Sequence, residues 1–571
     1  MSSPSPVLRA PPFPGIRRQV AAISSMRTDR SAAAVTASRD DTDALIAAIR
    51  AARVGGSFWA PTPPLPTAPA TVLRPRSLAD AVAMARDALS ESPADGIVAL
   101  LPDTRWARRA RRRLRAMAID AAIGDVDPWP LLRPDTMLIA HGDDELVLLA
   151  QIAGARARVR SPGRFAPATP RRAPTIADRV FADLVATTVY RDPLTDGPAE
   201  AIDAVAQLAD WRRMIDANRD ITVATGMARW KRREIERFLW AGRPRPLPFA
   251  TSATAAIRIA AAAGGAIATW PSRNPPGLIE GAAAAGVPIH RVEDGFIRSV
   301  GLGAACVPPL SIAVDTRGIH YDPAQPSDLE MLLAEARFDP PLLARAEALI
   351  GYIVDHGIGK YGADRPTLPT DSPADGRRRV LVTGQVEDDM SVRLGGAGIV
   401  SNLDLLARAR ALEPDAILWY RPHPDVDAGL RRGRIADAQA LDHADAVMRG
   451  GSMAALFDQV DAVHVLTSLA GFEALLRGRE VIVHGQPFYA GWGLTTDLAP
   501  PVVRRGRRLT ITELVAAVLI LYPRYLDPAT GLPCGPERMT ERLANQAIST
   551  ASALTRLRGI QGWLQRLGKK G

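Results

Sequence analysis

The sequence has few of the residues that several classes of protein require. Its 571 residues include 2 cysteines, and Cys306 and Cys534 alone cannot build a disulfide framework or a cysteine-rich metal site. The metal-binding spacings His-x-x-x-His and Cys-x-x-Cys are missing, so we expect neither a transition-metal centre nor a cofactor. No apolar run reaches the roughly 18–20 residues of a membrane span, and the chain opens with Pro, Ser and Arg rather than an apolar signal-peptide core. We therefore expect a cytoplasmic protein.

Aromatic residues and lysines are also scarce, which changes how the charge is interpreted. The formal net charge is +10, but aromatics make up 5% of the chain and only four of the basic residues are lysine. Nucleic-acid-binding modules interleave basic residues with stacking aromatics, so we do not expect a nucleic-acid partner. The densest basic run, residues 108–115, is interpreted as a solvated helix face, with an anion-binding face as the alternative.

What the sequence does contain is a repeated alternation of short apolar runs with helical stretches. The length predicts about three domains. Residues 1–74 are rich in Pro and Ser and predict a flexible segment that ends in a Pro-rich linker. Beyond them, strands that each run into a loop are predicted at residues 96–102, 255–270, 285–296, 377–385, 415–424, 461–468 and 479–487. Strands separated by helices are typical of parallel sheets that are covered by helices on both faces.

An internal similarity indicates that part of the chain is duplicated. The stretch that begins Tyr190-Arg-Asp192-Pro193 resembles the one that begins Tyr525-Leu-Asp527-Pro528, and each is followed by a predicted helix containing Leu-Ala. Similar stretches also precede both, in the same order. We interpret this as a duplicated module whose first copy is shortened.

Two of four polar clusters in the second copy are rich in acids. Glu293-Asp294-Gly295-Phe296 follows a predicted strand, where ligands of open α/β sheets bind; the alternative is a helix start capped by acids. Residues 384–396 place three acids, the last of them Asp389, after another apolar strand. These acids would suit a metal site, an acid/base pair, a covalent nucleophile or a solvated turn.

The other two clusters suit phosphate and ribose. His423 stands between two prolines that restrict its backbone, so its ring is aimed, either toward a phosphate or into its own loop. The stretch Thr467-Ser468-Leu-Ala-Gly-Phe-Glu473 predicts a strand, a polar turn and a helix start that offers backbone N–H groups to a phosphate.

Taken together and in this order, the four clusters resemble the retaining β-Kdo glycosyltransferases of bacterial capsule biosynthesis, the KpsC type. The resemblance covers about residues 220–545 and includes EDGF, GQVEDD, RPHPDV, TSLAGFEALL and FYAGWGLTTD. The family usually carries two catalytic modules in tandem, and the GQVEDD form is similar to the second, which makes β-(2→7) linkages. This chain departs from the pattern, because its first copy has neither the EDGF, the GQ-acid nor the HP motif.

The resemblance implies an α/β protein of the GT-B type, with two Rossmann-like domains facing across a cleft and an N-terminal degenerate Rossmann-like half-module. The expected organisation is a flexible segment (1–74), a non-catalytic half-module (75–215), an acceptor-side domain (216–376), a CMP-sugar-binding domain (377–530) and C-terminal helices (531–571).

The resemblance also implies a role for each residue of the site. Asp389 would be the covalent nucleophile and Glu293 the general acid/base, with Asp294 beside it. Four residues would bind CMP: His423, Pro424, Ser468 and Glu473. Apart from the resemblance, we expect Arg393 or Arg298 to pair with the Kdo carboxylate. Because CMP leaves with a single phosphate, its charge alone does not require a metal.

The implied partners are the donor CMP-β-Kdo and an acceptor lipid of the phosphatidylglycerol type that ends in Kdo, at the inner membrane. Residues 554–570 form a predicted basic amphipathic helix that would lie on that membrane or pack on the protein. Two other functions stay open: a transferase with another donor or linkage, and a non-catalytic Kdo-oligosaccharide-binding factor of capsule assembly or export.

Overall fold

The chain divides into two compact units. The structure is a computed structural model that describes residues 5–27, 38–62, 68–167, 174–297, 309–359, 362–363 and 376–545. Unit 1 comprises Met1–Asp220 and Leu239–Pro246, and unit 2 comprises Ile221–Phe238 and Leu247–Gly571. Of the helices within the described ranges, none combines the length and the apolar character that crossing a bilayer requires.

Unit 1 is built around a parallel sheet. Its strands are β1 (Ser24–Met26), β2 (Thr71–Leu73), β3 (Ile97–Leu101), β4 (Asp120–Ile123), β5 (Met137–Ala140), β6 (Arg156–Val159), β7 (Thr188–Arg191) and β8 (Pro198–Ala199). Among the described residues, five of them form the sheet in the order β4-β3-β2-β5-β6, and all its neighbours are parallel. The remaining three form a small antiparallel sheet in the order β1-β7-β8.

The helices of unit 1 cover the parallel sheet. They are α1 (Arg18–Ala21), α2 (Arg39–Ala52), α3 (Leu78–Leu89), α4 (Arg105–Arg115), α5 (Leu146–Ala153), α6 (Ile176–Val180) and α7 (Ala201–Asp216). Helix α4 carries the densest basic run and buries only Ala107, Ala110 and Leu114. These three residues share one face, because positions three and four apart are neighbours on a helix. The arginines of α4 are exposed, as expected for a solvated face.

The N-terminal segment differs from the flexible stretch that its composition predicted. Val7, Leu8 and Phe13 are buried, and the Phe13 ring lies 5.0 Å from the ring of Trp211 and 5.2 Å from that of Trp240. Prolines restrict the backbone of this segment without preventing its apolar side chains from packing. Residues 63–67 of the predicted Pro-rich linker lie outside the described residues.

Unit 2 contains two larger sheets. Its strands are β9 (Ile221–Thr225), β10 (Ala266–Thr269), β11 (Ile289–Asp294), β12 (Ser311–Asp315), β13 (Ile358–Gly359), β14 (Gly362–Ala363), β15 (Arg379–Thr383), β16 (Ile417–Arg421), β17 (Ala446–Val447), β18 (Ala462–Val465), β19 (Glu480–Val483), β20 (Thr496–Asp497), β21 (Pro523–Leu526) and β22 (Pro533–Cys534). The first sheet of the described chain has the order β22-β21-β12-β11-β10-β9, and the second has the order β17-β16-β15-β18-β19-β20.

The second sheet is parallel throughout, whereas the first is mixed. Strands β9, β10 and β11 are parallel, but β12 and β22 run opposite to their neighbours. The chain returns to the first sheet at β21, where Tyr525 pairs with Ser311. The sequence placed residues up to 530 in the second domain, because a pattern of apolar residues does not say which sheet a strand joins.

The helices of unit 2 lie between these strands. They are α8 (Arg232–Phe238), α9 (Ala253–Ala263), α10 (Leu278–Ala284), α11 (Asp328–Glu335), α12 (Pro340–Asp355), α13 (Met390–Gly395), α14 (Asn402–Leu412), α15 (Pro424–Asp427), α16 (Asp437–Leu441), α17 (Met453–Phe457), α18 (Leu469–Leu476), α19 (Ile511–Val515) and α20 (Pro536–Ala544). The strand predicted at 255–270 was wrong in its first part, which belongs to α9. Alanine is the best helix former, and Gly264, at a φ of 61°, ends this alanine-rich helix before β10.

The internal similarity of the sequence is also a similarity of structure. In each unit a short helix passes into a π-helix, Phe181–Ala186 in unit 1 and Ala516–Leu521 in unit 2. A strand, a turn, a two-residue strand and a helix follow in both. The turns are held alike, since Asp192 and Asp527 each accept hydrogen bonds from a threonine three residues later.

A buried ion pair joins α11 to the segment that follows β20. Glu330 lies on α11 and accepts hydrogen bonds from Arg504 and Arg505, the latter with an Nε–Oε2 distance of 3.1 Å. Arg505 also donates to the carbonyl oxygens of Pro487 and Ala490. The side chains of Glu330 and Arg505 are 5% and 3% exposed, so the Arg505 charge depends on Glu330 for its neutralisation.

We expect Glu330→Gln to destabilise unit 2 strongly. The substitution keeps the shape of the side chain but leaves the buried Arg505 without a counter-charge, which costs about 3–5 kcal/mol. The matched control is Asp210→Asn. Its partner Arg213 is 73% exposed, so losing this ion pair costs about 1 kcal/mol or less. Urea and thermal unfolding measure both effects, and equal losses in the two variants would contradict the assignment.

Candidate active site

The second sheet of unit 2 reverses its strand order between β15 and β18, and the loops after these strands are tied together. In open α/β sheets such a switch point is where ligands bind. The Gln385 side chain donates to Thr467 Oγ1 over 2.9 Å and accepts from the Thr467 backbone N–H over 2.8 Å. Asn402 accepts from the Gln385 backbone N–H and donates back to its carbonyl oxygen, both over 2.8 Å. The side-chain amides of Gln385 and Asn402 therefore fix the loops that carry the GQVEDD and TSLAGFE motifs.

The three acids of the GQVEDD loop have different environments. Glu387 accepts from the Asn402 backbone N–H over 2.8 Å, and Asp388 pairs with Arg431 over 3.1 Å. Asp389 caps the N-terminus of α13, where its Oδ1 accepts from both the backbone N–H and the hydroxyl of Ser391 over 3.0 Å. Asp389 is exposed and forms no ion pair with another described residue. Of the three, it is therefore the acid that is presented to a ligand.

The EDGF acids end strand β11 of the first sheet. Glu293 Oε1 accepts from the Asp294 backbone N–H over 3.0 Å. Asp294 pairs with Lys231 over 3.2 Å, and the Lys231 ammonium lies 3.6 Å from the centre of the Trp270 ring. Burial raises the pKa of Glu293 to about 8; the charges of Asp294 and Asp389 also raise it, while Lys231 and the Asp294 N–H lower it. A carboxyl with this pKa can exchange a proton near neutral pH.

Glu293 and Asp389 therefore come from different sheets of unit 2 and lie near enough to influence each other. The structure brings both near each other together with Asp294. It adds Tyr321, which the sequence did not single out. Burial raises the pKa of the Tyr321 hydroxyl, and the charges of Glu293 and Asp389 raise it further.

The residues predicted to bind CMP lie on loops of the second sheet. His423 follows β16 and caps α15, whose first residue is Pro424. Its Nδ1 accepts from the Asp425 backbone N–H over 3.2 Å, so the neutral ring carries its hydrogen on Nε2, which can donate to a phosphate. Ser468 caps α18 after β18. Glu473 lies one turn into α18 and approaches Gly359, where a Cβ would come within 3.1 Å of its carboxylate.

Aromatic residues pack the motifs against one another. Phe296 of EDGF lies 4.6 Å, ring centre to ring centre, from Phe488 of FYAGW and 4.9 Å from His320. Tyr489 donates its hydroxyl hydrogen to the Ser468 carbonyl oxygen, and Trp492 Nε1 donates to the Phe488 carbonyl oxygen over 2.9 Å. The FYAGW aromatics are thus buried packing residues, which leaves the polar ends of the motifs to contact a ligand.

Of the two arginines that we expected to pair with the Kdo carboxylate, the structure describes only Arg393. Arg393 is exposed on the last turn of α13. Arg298 lies outside the described residues, as do residues 546–571 with the predicted amphipathic helix. Within the described ranges, no group of three or more His, Cys, Asp or Glu has the geometry of a metal site.

The matching edge of the unit 1 sheet is occupied by the protein itself. The strand order of that sheet reverses between β2 and β5. There Arg74 pairs with Asp144 over 2.9 Å and Arg76 pairs with Asp143. Gly142 is packed so closely that a Cβ would lie 2.6 Å from the Gly163 nitrogen. Where unit 2 presents open polar loops, unit 1 has ion pairs and closely packed backbone.

The fold and the site define an α/β protein of the GT-B type. A family model described as "Capsule polysaccharide biosynthesis protein" matches residues 265–367 and 360–525. Two solved structures are similar: the Thermosulfurimonas dismutans KpsC β-Kdo 2,4 transferase (34% identity, TM-score 0.50, 57% of this chain and 98% of that one) and the 2,7 transferase from the same organism (32%, 0.47, 57% and 99%). The chain belongs to the KpsC-type family of capsule polysaccharide biosynthesis proteins.

A curated relative agrees with this family. The capsule polysaccharide modification protein LipA of Neisseria meningitidis serogroup A is 37% identical over 379 residues, which cover 66% of this chain and 53% of LipA. The chain thus spans about half the length of the curated relatives it matches.

The raised pKa of Glu293 predicts a pH-dependent stability. In the unfolded chain Glu293 ionises near its ordinary pKa of 4.5, whereas in the folded protein it keeps its proton up to about pH 8. Unfolding then releases a proton between these values, so stability falls as the pH rises through this window and levels off above it. We expect Glu293→Gln to remove this loss of stability. The melting temperature of the variant minus that of the wild type should therefore increase between about pH 5 and about pH 8.5.

The control for this titration is Asp294→Asn. Because the Asp294 charge raises the pKa of Glu293, removing it should lower that pKa and reduce the gain that Glu293→Gln then produces. A pH-independent difference between Glu293→Gln and the wild type would show that Glu293 ionises at its ordinary pKa.

Proposed function

We propose that the chain is a retaining β-Kdo glycosyltransferase, which transfers Kdo from CMP-β-Kdo to an acceptor that ends in β-Kdo. The observation that carries this proposal is the pairing of Glu293, whose pKa is raised to about 8, with Asp389 from the other sheet. One carboxyl can exchange a proton at neutral pH while the other is presented for attack. The Kdo transferase structures that this chain resembles support the choice of sugar.

Two carboxyls are sufficient for the chemistry. The anomeric carbon of Kdo carries no hydroxyl, so an Asp389 oxygen can attack it directly while CMP departs with the electron pair of the broken bond, giving a covalent glycosyl-enzyme. Glu293 gives its own proton to the departing CMP and becomes a carboxylate. It then takes the proton of the acceptor hydroxyl, which attacks the same carbon and releases Asp389. Two inversions leave the β configuration unchanged, as in retaining glycosidases.

The surrounding residues hold the reacting groups. The Lys231–Asp294 ion pair fixes the backbone next to Glu293, and the first N–H groups of α13 orient Asp389. His423, Pro424 and Ser468 would bind the CMP phosphate near helix starts, where backbone N–H groups favour anions. Glu473 would accept hydrogen bonds from the ribose hydroxyls.

The acceptor and linkage follow from the family resemblance. We propose a glycolipid acceptor of the phosphatidylglycerol type at the inner membrane, with the protein peripherally attached, and a role in building the poly-Kdo linker of capsular polysaccharide. The GQVEDD form favours the β-(2→7) linkage, although the similar structures include a transferase of each linkage. Transfer to synthetic acceptors with either terminal linkage decides between the two.

Asp389→Ala should abolish Kdo transfer, because no other described carboxyl replaces the nucleophile. The matched control is Asp388→Asn, one residue away, whose partner is the exposed Arg431; it should retain at least about half of the wild-type activity. The assay supplies CMP-Kdo generated in situ and detects the product by mass spectrometry. Activity of Asp389→Ala would refute the nucleophile.

The alternative is a non-catalytic Kdo-binding factor of capsule assembly or export. It would bind Kdo oligosaccharides without any transfer from CMP-Kdo. The proton-exchanging environment of Glu293 favours the enzyme, since binding alone does not require a carboxyl with a raised pKa.

We further propose that unit 1 is non-catalytic, and we expect one CMP per chain. At the edge of the sheet that would bind a nucleotide, Arg74 and Arg76 are engaged in ion pairs with Asp144 and Asp143. Isothermal titration should give a stoichiometry of about one, and His423→Ala together with Ser468→Ala should reduce binding by tenfold or more. A second CMP that survives these substitutions would show that unit 1 also binds nucleotide.

A further inference from the structure

Tyr321 has a buried hydroxyl that the protein itself does not use. The residue lies in the loop between β12 and α11, and its hydroxyl has no hydrogen-bond partner among the described residues. Buried polar groups almost always have a partner, and leaving one unpaired costs free energy. An unpaired hydroxyl at the cleft therefore indicates a group that a ligand satisfies.

The loop of Tyr321 reaches the helix that begins at the proposed nucleophile. A Cβ on Gly395, at the end of α13, would lie 3.6 Å from the Tyr321 carbonyl oxygen. The ring of the preceding residue, His320, packs edge-on against Tyr321 at 5.3 Å and against Phe296 of EDGF at 4.9 Å. Tyr321 thus lies between the loop that follows Glu293 and the helix capped by Asp389.

The phenol is a neutral donor between acids. The nearby Glu293 and Asp389 raise the pKa of Tyr321, so the hydroxyl keeps its hydrogen at physiological pH. It forms no hydrogen bond with either carboxylate. Its hydrogen is therefore available to an acceptor atom of a bound molecule.

We propose that the Tyr321 hydroxyl donates a hydrogen bond to the carboxylate of the donor sugar, an inference that rests on the proposed function. That carboxylate is bonded directly to the carbon that Asp389 attacks, so it must lie close to Asp389. Asp294 and Asp389 bring negative charge near this position, and a substrate anion there needs a donor. Lys231 is engaged by Asp294 and Trp270, and Arg393 is exposed on α13, whereas the Tyr321 hydroxyl is buried.

The test is Tyr321→Phe, which removes only the hydroxyl. The KM for freshly prepared CMP-Kdo should rise by about tenfold or more, as for a hydrogen bond to a charged group. The inhibition constant of CMP, which lacks the sugar, should change by less than about twofold, and the melting temperature without ligand should stay the same or rise, because an unpaired polar group is removed.

Tyr525→Phe is the matched control. Its hydroxyl donates to the Leu519 carbonyl oxygen over 2.8 Å and is buried, so its removal should lower the melting temperature and leave the KM for CMP-Kdo unchanged. The inference is overturned if Tyr321→Phe leaves that KM unchanged, weakens CMP and CMP-Kdo equally, or melts lower as Tyr525→Phe does. Absence of transfer by the wild type would instead overturn the proposed function, and this inference with it.

Discussion

The arrangement of unit 2 depends on one constraint: three carboxyl groups lie close together at the candidate site. Glu293, Asp294 and Asp389 come from two sheets, and the charges of Asp294 and Asp389 disfavour ionisation of Glu293. Three different groups lie beside these acids: the Lys231 ammonium against the Trp270 ring, the N-terminal amides of α13 and the neutral phenol of Tyr321. The buried Glu330–Arg505 pair and the aromatic cluster around Phe296 hold in place the elements that carry these groups.

The local structure around the acids could be predicted from the sequence, but the spatial partners could not. Strands β15, β16, β18 and β19 are apolar runs that end in polar loops, so their motifs fall where ligands bind. Tyr321 escaped notice because it follows β12 outside the four clusters that the sequence singles out, and its unpaired hydroxyl is visible only in three dimensions. The return of β21 to the first sheet and the packing of Phe13 likewise depend on long-range contacts that periodicity does not encode.

The two units share an architecture but differ at the place where their sheets reverse strand order. Both have a parallel sheet with a reversal of strand order, and both continue through the same helix, strand and turn. In unit 2 the loops at the reversal are tied by the neutral Gln385 and Thr467, which leaves neighbouring charges for a substrate. In unit 1 the charged side chains at the reversal pair with one another, which supports the proposal that unit 1 is non-catalytic.

Each unit contains a π-helix at the same place, which bears on how the two units arose. A π-turn holds one residue more than an α-turn, so a π-helix marks a local insertion. The same widened turn stands before the same strand in both units. If the extra residue had been inserted separately in the two units, the same rare change would have occurred twice at one position. The shared π-helix therefore supports the interpretation that the two stretches are copies of one module that already contained it.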